Sequence, residues 1–399
     1  MNCEKDCWVA FNVFEGIGPL RFKLLLDYFG TAEVAYKAPA EKLREIGLGE
    51  KLVLKFDNFR KNFDIASYLL RVSQLGIEVL TFADKDYPKL LKEIANPPPV
   101  IYAKTTRCRP ERSEGTPPEG DSSPSAQNDM RIAQNDMRIA QNDIFNKKMV
   151  AVVGTRLPTP YGRKVTEMIV EGLVASGLVV VSGLARGVDA IAHRTTIYNK
   201  GLTVGVLGCG LDKIYPPEHK GLAEEIVKSG GAVISEFPLG MEAVPGNFPA
   251  RNRIISGLSL GVVVTEAAFD SGSLITASHA AEQGREVFAI PGPITSRMSE
   301  GTAQLMKKGA KVVTGVEDIL EELGIRPAYA KASAGKGKDF GDLSDKEMKI
   351  ITVLKEEDLA IDDIIRRTGL DSGSVSSLLS LMEIRGLIKN YNGVYSLLN

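Results

Sequence analysis

The sequence predicts an α/β protein built around a doubly wound, mostly parallel β-sheet. Runs such as VVVS and GVVVT are apolar on both faces, as strands buried between two helix layers must be. The segments between successive runs are long enough for the crossover helices that parallel strands require. Between Val150 and Pro293, nearly every run ends in a turn rich in Gly, Ser, Thr or Arg. Together these observations indicate repeated βαβ units.

The first part of the chain, residues 1–75, is predicted to be a small helical domain. Apolar residues recur at helical spacing over 20–29 and 65–76. Gly16-Ile17-Gly18-Pro19 lies between two predicted helices, and 46–52 is a fainter copy. A Gly-Ile-Gly turn between helices is typical of a helix-hairpin-helix, or SAM-like, domain whose N–H groups bind DNA phosphate. An ordinary tight turn in a small helical bundle fits this pattern equally well.

Residues 76–325 are predicted to form a Rossmann-like core. An extended, proline-rich lead-in covers 77–104, and parallel strands are expected near 149–154, 178–182, 203–208, 231–236, 261–265, 286–290 and 311–314. Residues 105–146 interrupt this domain with a stretch rich in Pro, Ser, Gly, Glu and Arg, in which QNDMRIA occurs twice in tandem. We interpret that stretch as a low-complexity insert.

The C-terminal part is predicted to be a winged helix over 342–399, after a flexible linker over 326–341. Three helical segments are followed by a two-stranded wing around Asn392-Gly393. From 342 to 399 there are seven Lys and Arg against ten Asp and Glu, a net charge of −3. This surface favours a protein-docking role over reading a DNA groove.

Composition limits the function classes. The formal net charge of the 399 residues is −1, so any attraction for nucleic acid must come from a local patch. The four cysteines are scattered and no histidine completes a zinc site, so no metal and no cofactor are predicted. The chain starts without an apolar leader and has no apolar run of about 18 residues, which predicts a cytoplasmic protein with no membrane span.

Catalytic patterns are missing from the sequence. The first βα junction, GTRLPTPYG, lacks GxGxxG spacing, which argues against a dinucleotide enzyme. His193, His219 and His279 lie far apart, and there is no GxSxG or HExxH motif. Glu266 follows a buried strand and is either a catalytic carboxylate or a structural partner, and we favour the structural role. No catalytic residue is predicted.

Basic residues concentrate at the strand ends. Because the carboxyl ends of parallel strands meet at one rim, these cations and the neighbouring backbone N–H groups are expected to converge on phosphate, free or in a nucleic acid. Phe248 is placed to stack on a base beside them. About half of the cations are expected to face the ligand, and others to pair with Asp189, Glu236 or Glu266. The cations are Arg156, Arg163, Arg186, Arg194, Lys213, Lys220, Arg251 and Arg253.

The motifs of the core resemble the DprA (Smf) family of DNA-processing proteins. They are, in order, VGTR, SGLARGVDAIAHR, TVGVLGCGLDKIYPPEH, SEFPLG, NFPARNRIISGLS, VVVTEA and SGSLITASHAAEQGREVFAIPG. The resemblance implies a bacterial protein that binds single-stranded DNA, protects incoming strands during natural transformation and loads the RecA recombinase. It also implies a homodimer formed through the Rossmann-like domain and no catalysis.

The DNA site follows from the resemblance together with the strand-end pattern. The expected residues are Gly154, Thr155, Arg156, Ser182, Gly183, Arg186, Lys213, Lys220, Phe248, Arg251, Asn252, Arg253, Ser271, Gly272 and Ser273.

Two other functions stay open at this stage. A nucleotide-processing Rossmann-like enzyme would need a Pro-Gly-Gly loop where this chain has FDSGSLITASHA. A sequence-specific regulator would need a basic winged helix.

Overall fold

The computed structural model describes residues 4–106, 144–325, 344–355, 357–384, 387–391 and 393–397. The chain forms two compact units, Met1–Ala328 and Tyr329–Asn399. The predicted linker lies outside the described residues, as does most of the predicted insert. No helix among the described residues has the length and apolarity needed to cross a membrane.

The N-terminal region is helical, as predicted. Two turns, at 14–18 and 46–49, join successive helices, and Gly16 has a φ of +114° that favours glycine. A Cβ built on Gly16 would lie 2.7 Å from Leu52 Cδ1, so the first turn packs against the helix that follows the second turn. Binding of DNA by these turns stays a prediction. The helices are α1 Glu4–Val13, α2 Pro19–Phe29, α3 Ala32–Lys37, α4 Ala40–Glu45, α5 Glu50–Asn62 and α6 Ile65–Gln74.

A nine-stranded sheet forms the centre of the first unit, and its seven parallel core strands confirm the prediction. The strands are β1 Glu78–Thr81, β2 Val100–Lys104, β3 Met149–Val153, β4 Val179–Ser182, β5 Thr203–Leu207, β6 Ala232–Ser235, β7 Gly261–Val264, β8 Glu286–Ala289 and β9 Lys311–Val312. Their order is β1-β2-β6-β5-β4-β3-β7-β8-β9. The lead-in supplies β1 and β2, which pair antiparallel with each other, and β2 also pairs antiparallel with β6.

Helices cover both faces of this sheet. Val150 and Val152 of β3 pack into one apolar layer, whereas Met149, Ala151 and Val153 pack into the opposite one. This alternation is expected for a strand buried on both sides. The helices of the core are α7 Lys89–Lys92, α8 Pro160–Ala175, α9 Val188–Tyr198, α10 Lys220–Lys228, α11 Asn247–Gly257, α12 Ser273–Glu282, α13 Glu300–Lys307 and α14 Val316–Glu322.

The N-terminal helices share an apolar core with one edge of the sheet. Phe11 and Leu25 belong to the same buried cluster as Tyr102 of β2 and Leu207 of β5. The Tyr102 hydroxyl donates a hydrogen bond to Asn12 Oδ1 over 2.9 Å. The N-terminal helices and the sheet therefore form one compact unit. The predicted domain boundary between residues 75 and 76 stays a prediction.

The second unit is a winged helix, as predicted. Ser344 and Glu347 form a capping box at the start of its first helix, and Gly369, with a φ of +66°, ends the second. Its role in docking a protein stays a prediction. The elements are α15 Asp345–Leu354, β10 Leu359–Ala360, α16 Ile361–Thr368, α17 Ser372–Ile384, β11 Ile388–Tyr391 and β12 Val394–Leu397.

Candidate functional site

A cavity of about 710 Å³ opens at the carboxyl ends of the parallel strands. It lies beside β3, where the strand order reverses between β4 on one side and β7 on the other. Ligands of open α/β sheets bind in such a crevice because the loops after neighbouring strands diverge there. The predicted residues that line the cavity are Gly154, Thr155, Arg156, Phe248, Arg251, Asn252, Ser271, Gly272 and Ser273.

The loop after β3 is held tightly by its neighbours. A Cβ on Gly154 would lie 2.7 Å from Val188 Cγ2 and 2.8 Å from the Glu266 carbonyl oxygen, so only glycine fits this close approach. The Thr155 N–H donates to that same carbonyl over 2.7 Å. With its backbone fixed in this way, the loop extends the exposed Arg156 side chain toward solvent.

Arg156 stands over an aromatic ring. Its guanidinium carbon lies 5.8 Å from the centroid of the Phe248 ring. The Tyr215 ring lies 5.5 Å from the Phe248 ring at an interplanar angle of 44°. Among the described residues, no carboxylate forms an ion pair with Arg156. The site thus presents one uncompensated cation beside two partly exposed aromatic faces.

The loop after β4 supplies a second cation. Arg186 is exposed and pairs with Glu218, from Nε to Oε1, over 2.5 Å. A smaller pocket next to the main cavity is lined by Arg156, Gly183, Arg186 and Phe248. Arg156 and Arg186 therefore lie on the same side of the sheet, with an open groove between them. An exposed ion pair such as Arg186–Glu218 contributes little free energy, so it costs little to separate the two side chains.

Arg251 lines the back of the cavity, but only 4% of its surface is exposed. Its Nη1 donates to the carbonyl oxygens of Gly183, over 2.7 Å, and of Val206. Burial lowers the pKa of Arg251 to about 10, although the Asp189 carboxylate raises it. Burial also raises the pKa of Asp189, against the opposing effect of Arg251. Arg251 therefore ties the ends of β4 and β5 to α11, and most of its hydrogen-bonding capacity is used inside the protein.

The start of α12 forms another wall of the cavity. The Ser271 and Ser273 hydroxyl oxygens lie 2.8 Å apart, and the Asn252 amide donates to the Gly272 carbonyl over 3.3 Å. Hydroxyls and amides at a helix N-terminus suit an anion. Arg297 and Asp270 line the same wall, both well exposed, with 3.7 Å between Nη2 and Oδ2.

Four predicted residues line neither the cavity nor the smaller pocket. Ser182 is fully buried and donates to the Val152 carbonyl over 2.7 Å. Arg253 forms a largely buried ion pair with Glu236, as the sequence analysis allowed. Lys213 pairs with Glu242, and Lys220 is exposed at the start of α10. Their assignment to the DNA site now depends on the family resemblance alone.

Glu266 has a structural role, as the sequence reasoning favoured. Its carboxylate is buried and accepts from the Thr159 N–H over 2.8 Å and from the Thr159 hydroxyl over 2.7 Å. These contacts lie at the start of α8, where a negative charge is stabilised by the helix dipole. Its partner is the backbone and hydroxyl of Thr159 and not the arginine that was suggested as one alternative.

Tyr215, Arg297 and Asp270 also line the cavity, and the sequence analysis did not name them as site residues. Asp189 lines it too, although the sequence analysis named it only as a partner for the arginines. Tyr215 stands inside the quoted motif KIYPPEH, so an aromatic residue among the strand-end loops was a usable signal. Arg297 follows the last quoted motif, and nothing in the sequence indicates that it folds back to the rim. Within the described part of the chain, no group of three or more metal-ligating side chains is present.

Comparison with known proteins agrees with this architecture. The family model of DNA recombination-mediator protein A matches residues 140–324, and that of the DprA winged helix domain matches residues 340–393. Protein Smf of Synechocystis is 35% identical over 423 residues, covering 98% of each chain. DNA processing protein DprA of Streptococcus pneumoniae is 47% identical over 173 residues, covering 43% of this chain and 61% of that protein.

A solved structure agrees as well. The X-ray structure of DNA processing protein A from Streptococcus pneumoniae superposes with a TM-score of 0.62 at 32% identity, covering 79% of this chain and 97% of that one. The Synechocystis relative extends the likeness over almost the whole chain, from the helical region to the winged helix. The chain therefore belongs to the DprA (Smf) family of DNA recombination mediators.

Proposed function

We propose that this protein binds single-stranded DNA without sequence preference at the rim cavity. The observation that carries the proposal is the exposed, unpaired Arg156 guanidinium above the Phe248 ring, at the mouth of a cavity of about 710 Å³. Arg156 and Arg186 hold backbone phosphates, since guanidinium groups form bidentate hydrogen bonds with them. The faces of Phe248 and Tyr215 stack on bases.

Single strands suit this surface better than duplexes. A base offers its face to an aromatic side chain only when it is not stacked inside a duplex. Phosphate contacts and stacking discriminate poorly among the four bases, so binding is independent of sequence. Gly154, Thr155 and the Ser271–Ser273 segment add backbone and hydroxyl donors around the anion.

The proposed activity breaks no bond. The carboxylate of Glu266, just after β7, accepts hydrogen bonds from Thr159. His193 is fully buried and hydrogen-bonded to Thr203. These contacts favour a binding protein over the alternative, a nucleotide-processing enzyme. Detectable turnover of nucleoside monophosphates by the purified protein would contradict the choice.

Binding of this kind fits a cytoplasmic recombination mediator. As the family resemblance implies, we propose that the protein acts as a homodimer joined through the Rossmann-like domain, protects incoming strands during natural transformation and loads RecA onto them. Assembly of RecA on a coated single strand, with and without this protein, tests the loading step. Unchanged RecA assembly would refute that step and leave the DNA site untouched.

The DNA site is tested by fluorescence anisotropy with labelled oligo-dT, a mixed-sequence single strand and a duplex of equal length. The two single strands should bind alike and more tightly than the duplex, with affinity falling as salt rises. Arg156→Ala should weaken binding about tenfold or more, because a charge-assisted hydrogen bond is lost. Lys228→Ala is the matched control, since it also removes an exposed positive charge but lies at the far end of α10. Equal affinities of the Arg156 variant and the parent would show that the cavity is not the site.

A further inference from the structure

His219 lies under the loop that carries Arg186. It ends a short turn, Pro217–His219, and only 6% of its surface is exposed. Its Nδ1 lies 2.8 Å from the carbonyl oxygen of Leu184. A carbonyl oxygen only accepts, so Nδ1 carries the proton and donates it to this hydrogen bond.

Leu184 has an unusual backbone conformation. Its φ of +55° falls in the left-handed region, which residues with a branched apolar side chain rarely adopt. Its side chain is fully buried in the core shared with Leu207 and Leu222. The loop also contains Gly187, at a φ of +75°. With Leu184 and Gly187 both at positive φ, the chain turns sharply over residues 184–187. The direction of the Arg186 side chain therefore depends on the hydrogen bonds that hold this turn.

The ion pair of Arg186 with Glu218 does not explain how the loop is held. Both side chains are exposed, at 62% and 47%, and exposed ion pairs contribute little free energy because water and salt screen them. The hydrogen bond from His219 is buried and fixes the backbone itself.

We propose that His219 is a positioning residue for DNA binding. Its hydrogen bond to the Leu184 carbonyl holds residues 183–187 in the conformation that places Arg186 at the smaller pocket beside Arg156. This inference rests on the proposed function, since it concerns the placement of a phosphate-binding cation. His219 itself does not touch the DNA.

Two amide variants separate the two ring nitrogens. His219→Asn places an amide donor near the position of Nδ1, whereas His219→Gln places it near that of Nε2. If the Nδ1 bond positions the loop, the Gln variant should bind oligo-dT about tenfold more weakly, like Arg186→Ala, and the Asn variant should stay within about threefold of the parent. The salt dependence of affinity should become shallower by the same amount in the Gln variant and in Arg186→Ala.

A double variant tests whether the two residues act together. In the Arg186→Ala background, His219→Gln should weaken binding less than twofold further, because there is no longer a cation to position. His193→Gln is the matched control: it also replaces a buried histidine and moves the amide away from the Nδ1 position, and the partner of His193, Thr203, lies on β5 outside the loop. That variant should lose thermal stability and keep its DNA affinity.

The outcomes distinguish this inference from the proposed function. Parental affinity in the His219→Gln variant, or a full tenfold further loss in the Arg186→Ala background, would overturn the positioning role. Parental affinity in both Arg156→Ala and Arg186→Ala would instead overturn the DNA site. Thermal unfolding of every variant shows whether a loss of binding comes from a loss of folded protein.

Discussion

Arg251 offers the sharpest test of how the site is built. Replacing it with Met keeps most of the side-chain volume and removes the guanidinium. The carbonyl oxygens of Gly183 and Val206 then lose their donor, and the buried Asp189 carboxylate loses its nearby cation. Both changes leave polar groups uncompensated inside the protein.

The expected loss is large. Removing one partner from a buried charged network costs about 3–5 kcal/mol of the free energy of unfolding. In an Asp189→Asn background the same substitution should cost only about 1–3 kcal/mol, since only the carbonyl groups are left without a partner. The difference between the two costs measures the coupling of Arg251 with Asp189.

The loss should also depend on pH. Burial raises the pKa of Asp189 and Arg251 opposes that rise, so the pKa of Asp189 rises further in Arg251→Met. Below the unfolded pKa of an acid, about 3.9, an acid whose pKa is raised on folding makes its full contribution to the free energy of unfolding. That contribution is lost as pH rises through the folded pKa. The destabilisation caused by Arg251→Met should therefore be smallest near pH 4 and grow toward neutrality.

Urea unfolding followed by tryptophan fluorescence measures these differences. Trp8 is the one tryptophan in the chain, is 5% exposed and belongs to the same compact unit as Arg251. Equal costs of Arg251→Met in the parent and in the Asp189→Asn background, or a loss that does not change with pH, would refute the coupled network.

Three further predictions concern the same loops. Gly183→Ala should destabilise the protein by about 1–3 kcal/mol, since a Cβ there would lie 2.7 Å from Asp189 Oδ2 and 2.8 Å from Arg251 Nη2. Gly205→Ala is the control: its nearest contact would be at 3.5 Å, so it should change the thermal midpoint little. Burial lowers the pKa of His193 to about 3. The free energy of unfolding should therefore fall by roughly 1.4 kcal/mol per pH unit as pH drops below about 6.5. In urea unfolding, His193→Asn should make this pH dependence smaller. Glu218→Ala should raise the affinity for oligo-dT about two- to fivefold at low salt, because Arg186 loses a competing anion, and an affinity equal to or below that of the parent would contradict this competition.

Several parts of this protein follow from local sequence alone. A strand buried on two faces must be largely apolar, so the five fully buried parallel strands, β3 to β7, were predictable from their composition. The glycines after β3 and β4 mark places where the backbone passes too close to a neighbour for a Cβ. The motifs predicted the family, which the comparisons confirm, and the cation-rich turns predicted an anion-binding rim, which stays a prediction.

The tertiary structure alone decided which cations face that rim. Arg156, Arg251 and Arg253 follow the same strand-end pattern in sequence, yet only Arg156 is exposed, while Arg251 bonds backbone carbonyls and Arg253 pairs with Glu236. Arg251 and Arg253 lie on α11, whose Ile254 and Ile255 pack into the apolar core, so both arginines are drawn inside the protein, whereas Arg156 lies in a loop. Arg297 and Tyr215 reach the cavity from distant parts of the chain. Contacts of this kind depend on how whole helices and loops pack, which local residue patterns do not specify.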